Sequence, residues 1–215
     1  MNKLQVINLG RISYQLALSK MESILALRIE DDIPDTLILC EHDPVFTVGR
    51  SKGAEHNLLQ AGETPVVKIS RGGDVTWHGP GQLVGYPIIK LHKQDIHAYL
   101  RWLEAFWIEE LKNRGIVAQR DPRNTGVWVA DKKMVAIGIA LRRWVSWHGF
   151  AWNIYPDLSD FQKINPCGMS SELVTRFSDH ADSYPTVEHA AEQISTTFSS
   201  WYHNCPIAEF TDSSI

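Results

Sequence analysis

Apolar residues recur along the chain either at about every second position or at about every third or fourth, dividing it into short strands and three helices. Residues 4–9, with Leu4, Val6 and Leu9, alternate as a first strand closed by Gly10. Ser13 stands as an N-cap before a helix with Tyr14, Leu18, Met21, Leu25 and Ile29 on one stripe, and Pro34 ends that segment. The continuous run 36–40 predicts a strand covered on both faces. A further strand follows at 45–48, then a polar and mobile connection over 49–62, then residues 66–69 leading into a glycine-rich stretch. Residues 83–91 leave that stretch as another strand. Asp95 is placed to cap a helix carrying Ile96, Leu100, Leu103, Trp107 and Leu111, stopped at Gly115. Closely spaced strands are predicted at 127–130, 134–141, 143–147 and 150–154, the first two joined by a hairpin at Asp131 and Lys132. A polar loop covers about 155–170, and Val187, Ala190, Ala191, Ile194, Phe198 and Trp201 form a last helical stripe that docks on the sheet.

Strands in adjacent series with helices set apart from them predict an α+β fold: a mixed, mostly antiparallel β-sheet flanked by helices, in one domain spanning residues 1–215. The alternation of a doubly wound fold is missing. Gly72 and Gly73 lack the spacing of a dinucleotide loop, and the lysine and serine of a P-loop are absent.

The glycine-rich stretch, residues 71–87, reads RGGDVTWHGPGQLVGYP. It holds too many glycines and prolines for a strand, yet Val75, Trp77, Leu83, Val84 and Tyr86 are too many apolar residues for a linker. It predicts either a tight turn between buried strands or a loop that cradles a ligand.

Composition narrows the function. A net charge of −4 and a pI near 6.1 argue against nucleic-acid binding. No apolar run is long enough to span a membrane, and the N-terminus has no signal-peptide core, so a cytoplasmic protein without membrane attachment is expected. Cys40, Cys167 and Cys205 have no paired spacing, which fits a reducing compartment and gives neither a disulfide framework nor a zinc site. No metal or cofactor is expected. Cys40 lies in the apolar run TLILC and reads as core, and Cys205 reads as inert. Cys167 is different. Flanked by Pro166 and Gly168 in a loop, it is either an incidental loop cysteine or a nucleophile on a kinked backbone. The base that such a thiol needs could be His78, His148 or Lys133; the last begins an apolar strand whose burial would lower a lysine pKa. Residue type alone leaves these open.

The blocks RGGDVTWHGPGQLVGYPI, TGVWVADKKMVAIGIALRRWVSWHGFAWNI and FQKINPCGM together resemble the octanoyltransferase (lipoyl(octanoyl) transferase) family of lipoate biosynthesis. One departure is Trp77, where the family usually has tyrosine, which keeps an aromatic wall and loses a hydroxyl. The resemblance implies a lipoate/biotin protein ligase-like fold, of the class II aminoacyl-tRNA synthetase/biotin synthetase type. It implies transfer of an octanoyl or lipoyl group from acyl carrier protein to a lysine of lipoyl domains, in 2-oxoacid dehydrogenase complexes and the glycine cleavage H protein. By the same resemblance Cys167 carries the acyl group as a thioester, and Lys133 lowers its pKa and acts as general acid and base. The acyl-binding segments would be Arg71, Gly72, Gly73, Asp74, Val75, Thr76, Trp77 and His78, then Ala136, Ile137 and Gly138, then Gly149, Phe150 and Ala151. His78 is expected to orient the loop or the acyl carbonyl. Lys132, Arg101, Arg142 and Arg143 are candidate contacts for acidic partner proteins. A ligase that activates free acid with ATP, and a non-catalytic carrier-binding protein, are the competing readings.

Overall fold

The computed structural model describes residues 3–166 and 170–210. Among them the chain forms a six-stranded sheet, a three-stranded sheet and three α-helices. The large sheet has the order β1 (Gln5–Ile12), β2 (Thr36–His42), β6 (Gln82–Ile88), β9 (Val145–Asn153), β8 (Lys132–Arg142) and β7 (Gly126–Val129). Only β1 and β2 run parallel in it, so the sheet is mixed and mostly antiparallel, as the sequence predicts. In the small sheet β3 (Val45–Val48) lies between β4 (Val66–Lys68) and β5 (Val75–His78).

Helix α1 (Tyr14–Ile29) starts where the Ser13 hydroxyl accepts a hydrogen bond from the Leu16 amide. It buries Tyr14, Ala17, Met21 and Leu25 on one face of the large sheet, against Ile38, Val84, Tyr86 and Ala151. Helix α2 (Ile96–Asn113), capped by the Asp95 carboxylate at the Ala98 amide, and helix α3 (Val187–Asn204), capped by Thr186, cover the other face. That second face holds the larger core. Trp102, Phe106, Trp107, Phe150, Trp152 and Phe198 meet there edge to face or tilted, with ring centroids 4.9–5.5 Å apart. Buried Arg28, at the end of α1, is held by Asp35 at 2.6 Å and Asp31 at 2.5 Å.

Several expectations are corrected. The glycine-rich stretch is not free of strands: Val75–His78 forms β5, hydrogen-bonded to β3, because four residues between the glycines suffice for a short ladder. Residues 143–147 and 150–154 are not two strands. They form the single strand β9, while Arg143 and Trp144 take left-handed φ values of 50° and 60° and make the turn from β8. The β7–β8 turn sits one residue earlier than predicted, on left-handed Ala130 and Asp131. Strand β1 runs past Gly10 to Ile12, with a register shift between Asn8 and Arg11. The 49–62 connection contains a 3-10 turn over Ala54–Asn57. No helix among the described residues is long and apolar enough to cross a membrane.

Candidate active site

Strands β8 and β9 carry large and small residues in alternation. Val135, Ile137 and Ile139 on β8, and Phe150 and Trp152 on β9, belong to the aromatic core under α2 and α3. Between them stand Ala136 and Gly138, paired with Ala151 and Gly149 across the ladder. A strand turns successive side chains to opposite faces, so the small residues share the face opposite the aromatic core. The segment Arg71-Gly72-Gly73 lies over them. The Gly72 amide donates to the Ile139 carbonyl at 2.8 Å, and a Cβ on Gly138 would sit 3.3 Å from the Arg71 side chain. Gly149 is packed harder still, since a Cβ there would be 2.2 Å from the Gly85 carbonyl oxygen on β6.

The result is a cavity of about 500 Å³. Arg71, Gly72, Gly73, Val75, Thr76 and His78 line it from the glycine-rich stretch, and Ala136, Ile137, Gly138, Gly149, Phe150 and Ala151 from the sheet. Two residues of the expected segments are elsewhere. Trp77 is buried in the separate core of the small sheet, its ring 5.4 Å from Phe161, and does not line the cavity. Asp74 braces the loop, accepting from the Asn57 amide group and the Val75 N–H at 2.6 Å each. Tyr14, Tyr86, His148, Ile96 and Leu100 also line the cavity and lie outside the segments that the motifs mark as acyl-binding.

Lys133 is buried and lines the same cavity. Its Nζ donates to the Asn124 side-chain oxygen and, at 3.1 Å, to the Thr125 carbonyl, and lies 5.2 Å from the centre of the Trp128 ring. Gly126 makes room for the lysine stem: its φ is +139°, and a Cβ would lie 3.2 Å from the lysine Cε. The Gly126 amide is fixed by the buried Glu104 carboxylate at 3.0 Å. Cys167, the expected nucleophile, lies outside the described residues. The chain on either side of it is tied to the site's neighbourhood: Asn165 donates to the Asn57 carbonyl at 2.8 Å, and Val174 bridges Lys133 in parallel. Cys40 is buried with its pKa pushed well above the ordinary thiol value by burial, and Cys205 is half-buried with its pKa raised for the same reason.

Tyr14, His78, Tyr86 and His148 line the cavity together with the basic side chains of Arg71, Arg123 and Lys133. Burial pushes His78 down to about 3, reinforced by His42, Arg71 and His148, against the opposing hydrogen bond to Gln82. Burial and the Arg71 guanidinium push His148 to about 3 as well. His148 occupies a left-handed conformation at φ 56° in the middle of β9, with its N–H directed at the Met21 sulfur at 3.3 Å and its Nε2 3.2 Å from the Ser70 hydroxyl. His42 is also lowered by burial; its Nδ1 must donate to the Ile12 carbonyl, so its Nε2 accepts from the Tyr86 hydroxyl at 2.7 Å. The Arg71 guanidinium donates to the Thr47 carbonyl and hydroxyl at 2.9 and 3.0 Å.

The lipoyl protein ligase A/B catalytic domain family matches residues 13–199. An octanoyltransferase of Caldicellulosiruptor bescii is 44% identical over 205 residues, covering 91% of this chain and 90% of the relative. One of Geobacter metallireducens is 44% identical over 173 residues, 80% of each chain. The chain belongs to the octanoyltransferase family. Octanoyltransferases are acyltransferases, and this family member shares its fold with the ligases. A crystal structure of lipoate-protein ligase A bound with ATP superposes with a TM-score of 0.80 over 94% of this chain and 86% of that one, at 17% identity. The biotin protein ligase of Aquifex aeolicus gives 0.54 over 99% and 76%, at 12% identity. At such identities the likeness concerns the fold alone. Of the surface basic residues, Arg143 is paired with Glu30 at 2.8 Å and Arg101 with Glu104 at 2.7 Å, while Lys132 and Arg142 are exposed.

Proposed function

We propose that this octanoyltransferase-family chain moves an octanoyl or lipoyl group from acyl carrier protein to a lysine of lipoyl domains, those of 2-oxoacid dehydrogenase complexes and the glycine cleavage H protein. The observation that carries this reading is the joining of a buried amine, Lys133, to a cavity of about 500 Å³ floored by Ala136, Gly138, Gly149 and Ala151. An alkyl chain lies against such a floor meeting no floor side chain larger than a methyl group, and each buried methylene contributes roughly 0.8 kcal/mol.

The Cys167 thiolate attacks the carrier thioester, the carrier thiol leaves, and a new thioester forms at the same bond type, so no ATP is consumed. The incoming lysine arrives mostly as ammonium, with an ordinary pKa of about 10.4, and loses a proton before attacking the thioester. Lys133 takes the Cys167 proton and passes it to the departing carrier thiolate in the first half; in the second it takes the ammonium proton, and the proton the nitrogen loses as the amide forms goes to the departing Cys167 sulfur and restores the thiol. Incubation with octanoyl-acyl carrier protein followed by mass measurement under denaturing conditions tests this. The expected result is one octanoyl adduct on the wild type and none on Cys167→Ala. An adduct that persists in Cys167→Ala, or use of free octanoate with ATP by Cys167→Ser, would overturn it.

A further inference from the structure

A line of buried polar side chains runs from the cavity to the backbone of Lys133, through residues with no assigned role. His78 Nδ1 lies 2.6 Å from Gln82 Oε1, and Gln82 Nε2 donates to Asn153 Oδ1 at 2.8 Å. Asn153 Nδ2 donates to the Thr175 carbonyl at 3.0 Å, and the Thr175 N–H donates to the Lys133 carbonyl at 3.0 Å. Gln82 and Asn153 are direct cross-strand partners of β6 and β9, and all four side chains are buried.

The direction of this line is forced from one end. A backbone carbonyl can only accept, so the Asn153 group facing Thr175 is the NH₂ and the group facing Gln82 is the oxygen. Gln82 therefore turns its NH₂ to Asn153 and its oxygen to His78. An oxygen acceptor at 2.6 Å requires the proton on Nδ1 of His78. The second imidazole nitrogen, Nε2, is then a lone-pair acceptor in a ring that lines the cavity.

We infer that Gln82 and Asn153 are positioning residues of the transfer site, which carry the fixed polarity of the Thr175 carbonyl to His78 and hold its Nε2 as an acceptor. The inference deepens the proposed transfer and rests on it. A His78 held in this tautomer has no proton to give an acyl carbonyl, so its partner on the substrate is an N–H or O–H donor, the incoming ammonium being the one the reaction supplies. The same line ties β6 and β9 to Thr175 and so to the strand end that carries Lys133, coupling acceptor geometry to the position of the amine.

Long-range ¹⁵N–¹H spectra of the labelled full chain read the tautomer directly, with His78→Gln assigning the signal. The wild type at neutral pH should show protonated Nδ1 and bare Nε2 at His78. Asn153→Asp, which cannot donate to the Thr175 carbonyl, should lose that single tautomer and lower kcat by about 10-fold or more, with the KM for acyl donor changed by less than about 2-fold. Protonated Nε2 in the wild type, or an Asn153→Asp variant with unchanged His78 signals and turnover, would overturn the inference. The wild-type spectrum decides the tautomer even if Asn153→Asp does not fold. Absence of an octanoyl adduct on the wild type would overturn the transfer reading instead, whatever the tautomer.

Discussion

The two faces of the β8–β9 ladder are built from the same two strands and serve opposite ends. One face presents Ile137, Ile139, Phe150 and Trp152 to helices α2 and α3 and is filled by aromatic rings, except where Ile137, Ile139 and Phe150 also border the cavity. The other presents Ala136, Gly138, Gly149 and Ala151 and leaves a cavity under the glycine-rich loop. A period of two residues separates stability from function without separating them in sequence. The filled face supplies rigidity by close packing, and the open face relies on that rigidity, because a floor of small residues cannot hold its own shape.

Substitutions on the two faces should therefore fail differently. The largest effect is expected where the faces share backbone. Gly149→Ala would place a Cβ 2.2 Å from the Gly85 carbonyl oxygen, forcing β6 from β9. The expected loss is about 4 kcal/mol or more, visible as a collapse of the urea midpoint, and a variant as stable as wild type would break the comparison. Trp152→Ala, on the filled face, should cost about 3–5 kcal/mol by denaturant titration and leave the tautomer of His78 unchanged in the folded fraction.

A smaller effect separates the faces by pH. His78 and His148 stay neutral in the folded protein down to about 3, whereas in the unfolded chain they protonate near 6.5. The unfolded state thus binds more protons between those values, and stability is full above about pH 6.5 and lost as pH falls toward 3. His148→Asn keeps a residue that tolerates left-handed φ and removes one titrating group. Its melting temperature should fall less steeply between pH 6 and 4 than that of the wild type, by about one proton of linkage. An unchanged slope would mean that His148 is not held neutral. Ala136→Leu, on the open face, should change stability least, within about 1 kcal/mol, while shifting the preference among acyl donors toward shorter chains in the adduct assay. Unchanged chain-length preference would remove Ala136 from the acyl path.

Much of this was legible from sequence, for physical reasons. Helices α1 and α3 bury close to the residues their spacing picks out, and the run Thr36 to Cys40 is buried as its unbroken apolar character predicts. Lys133 and the expected acyl-binding residues other than Asp74 and Trp77 line one cavity, and Cys167 lies outside the described residues. What escaped depended on pairing or on rare backbone. Strand β5 is four residues long between glycines, and only its ladder with β3 makes it a strand. Nothing in the word WHG announces that His148 is left-handed inside a continuous strand. Gln82 and Asn153 are 71 positions apart and meet because their strands pair in one register, which single-residue chemistry does not encode.

The shift in β1 has a consequence for the protein in a crowded solution. Among the described residues strand β1 forms one end of the large sheet and pairs with β2 alone, so it is an edge strand whose far side carries a row of backbone groups without a ladder. Left-handed Gly10 breaks that row between Asn8 and Arg11, and Arg11 sets an ion pair to Asp43 beside it at 2.9 Å. A broken, charged edge is a poor template for another strand. The interruption that makes the first strand irregular also guards the sheet against growing into an aggregate.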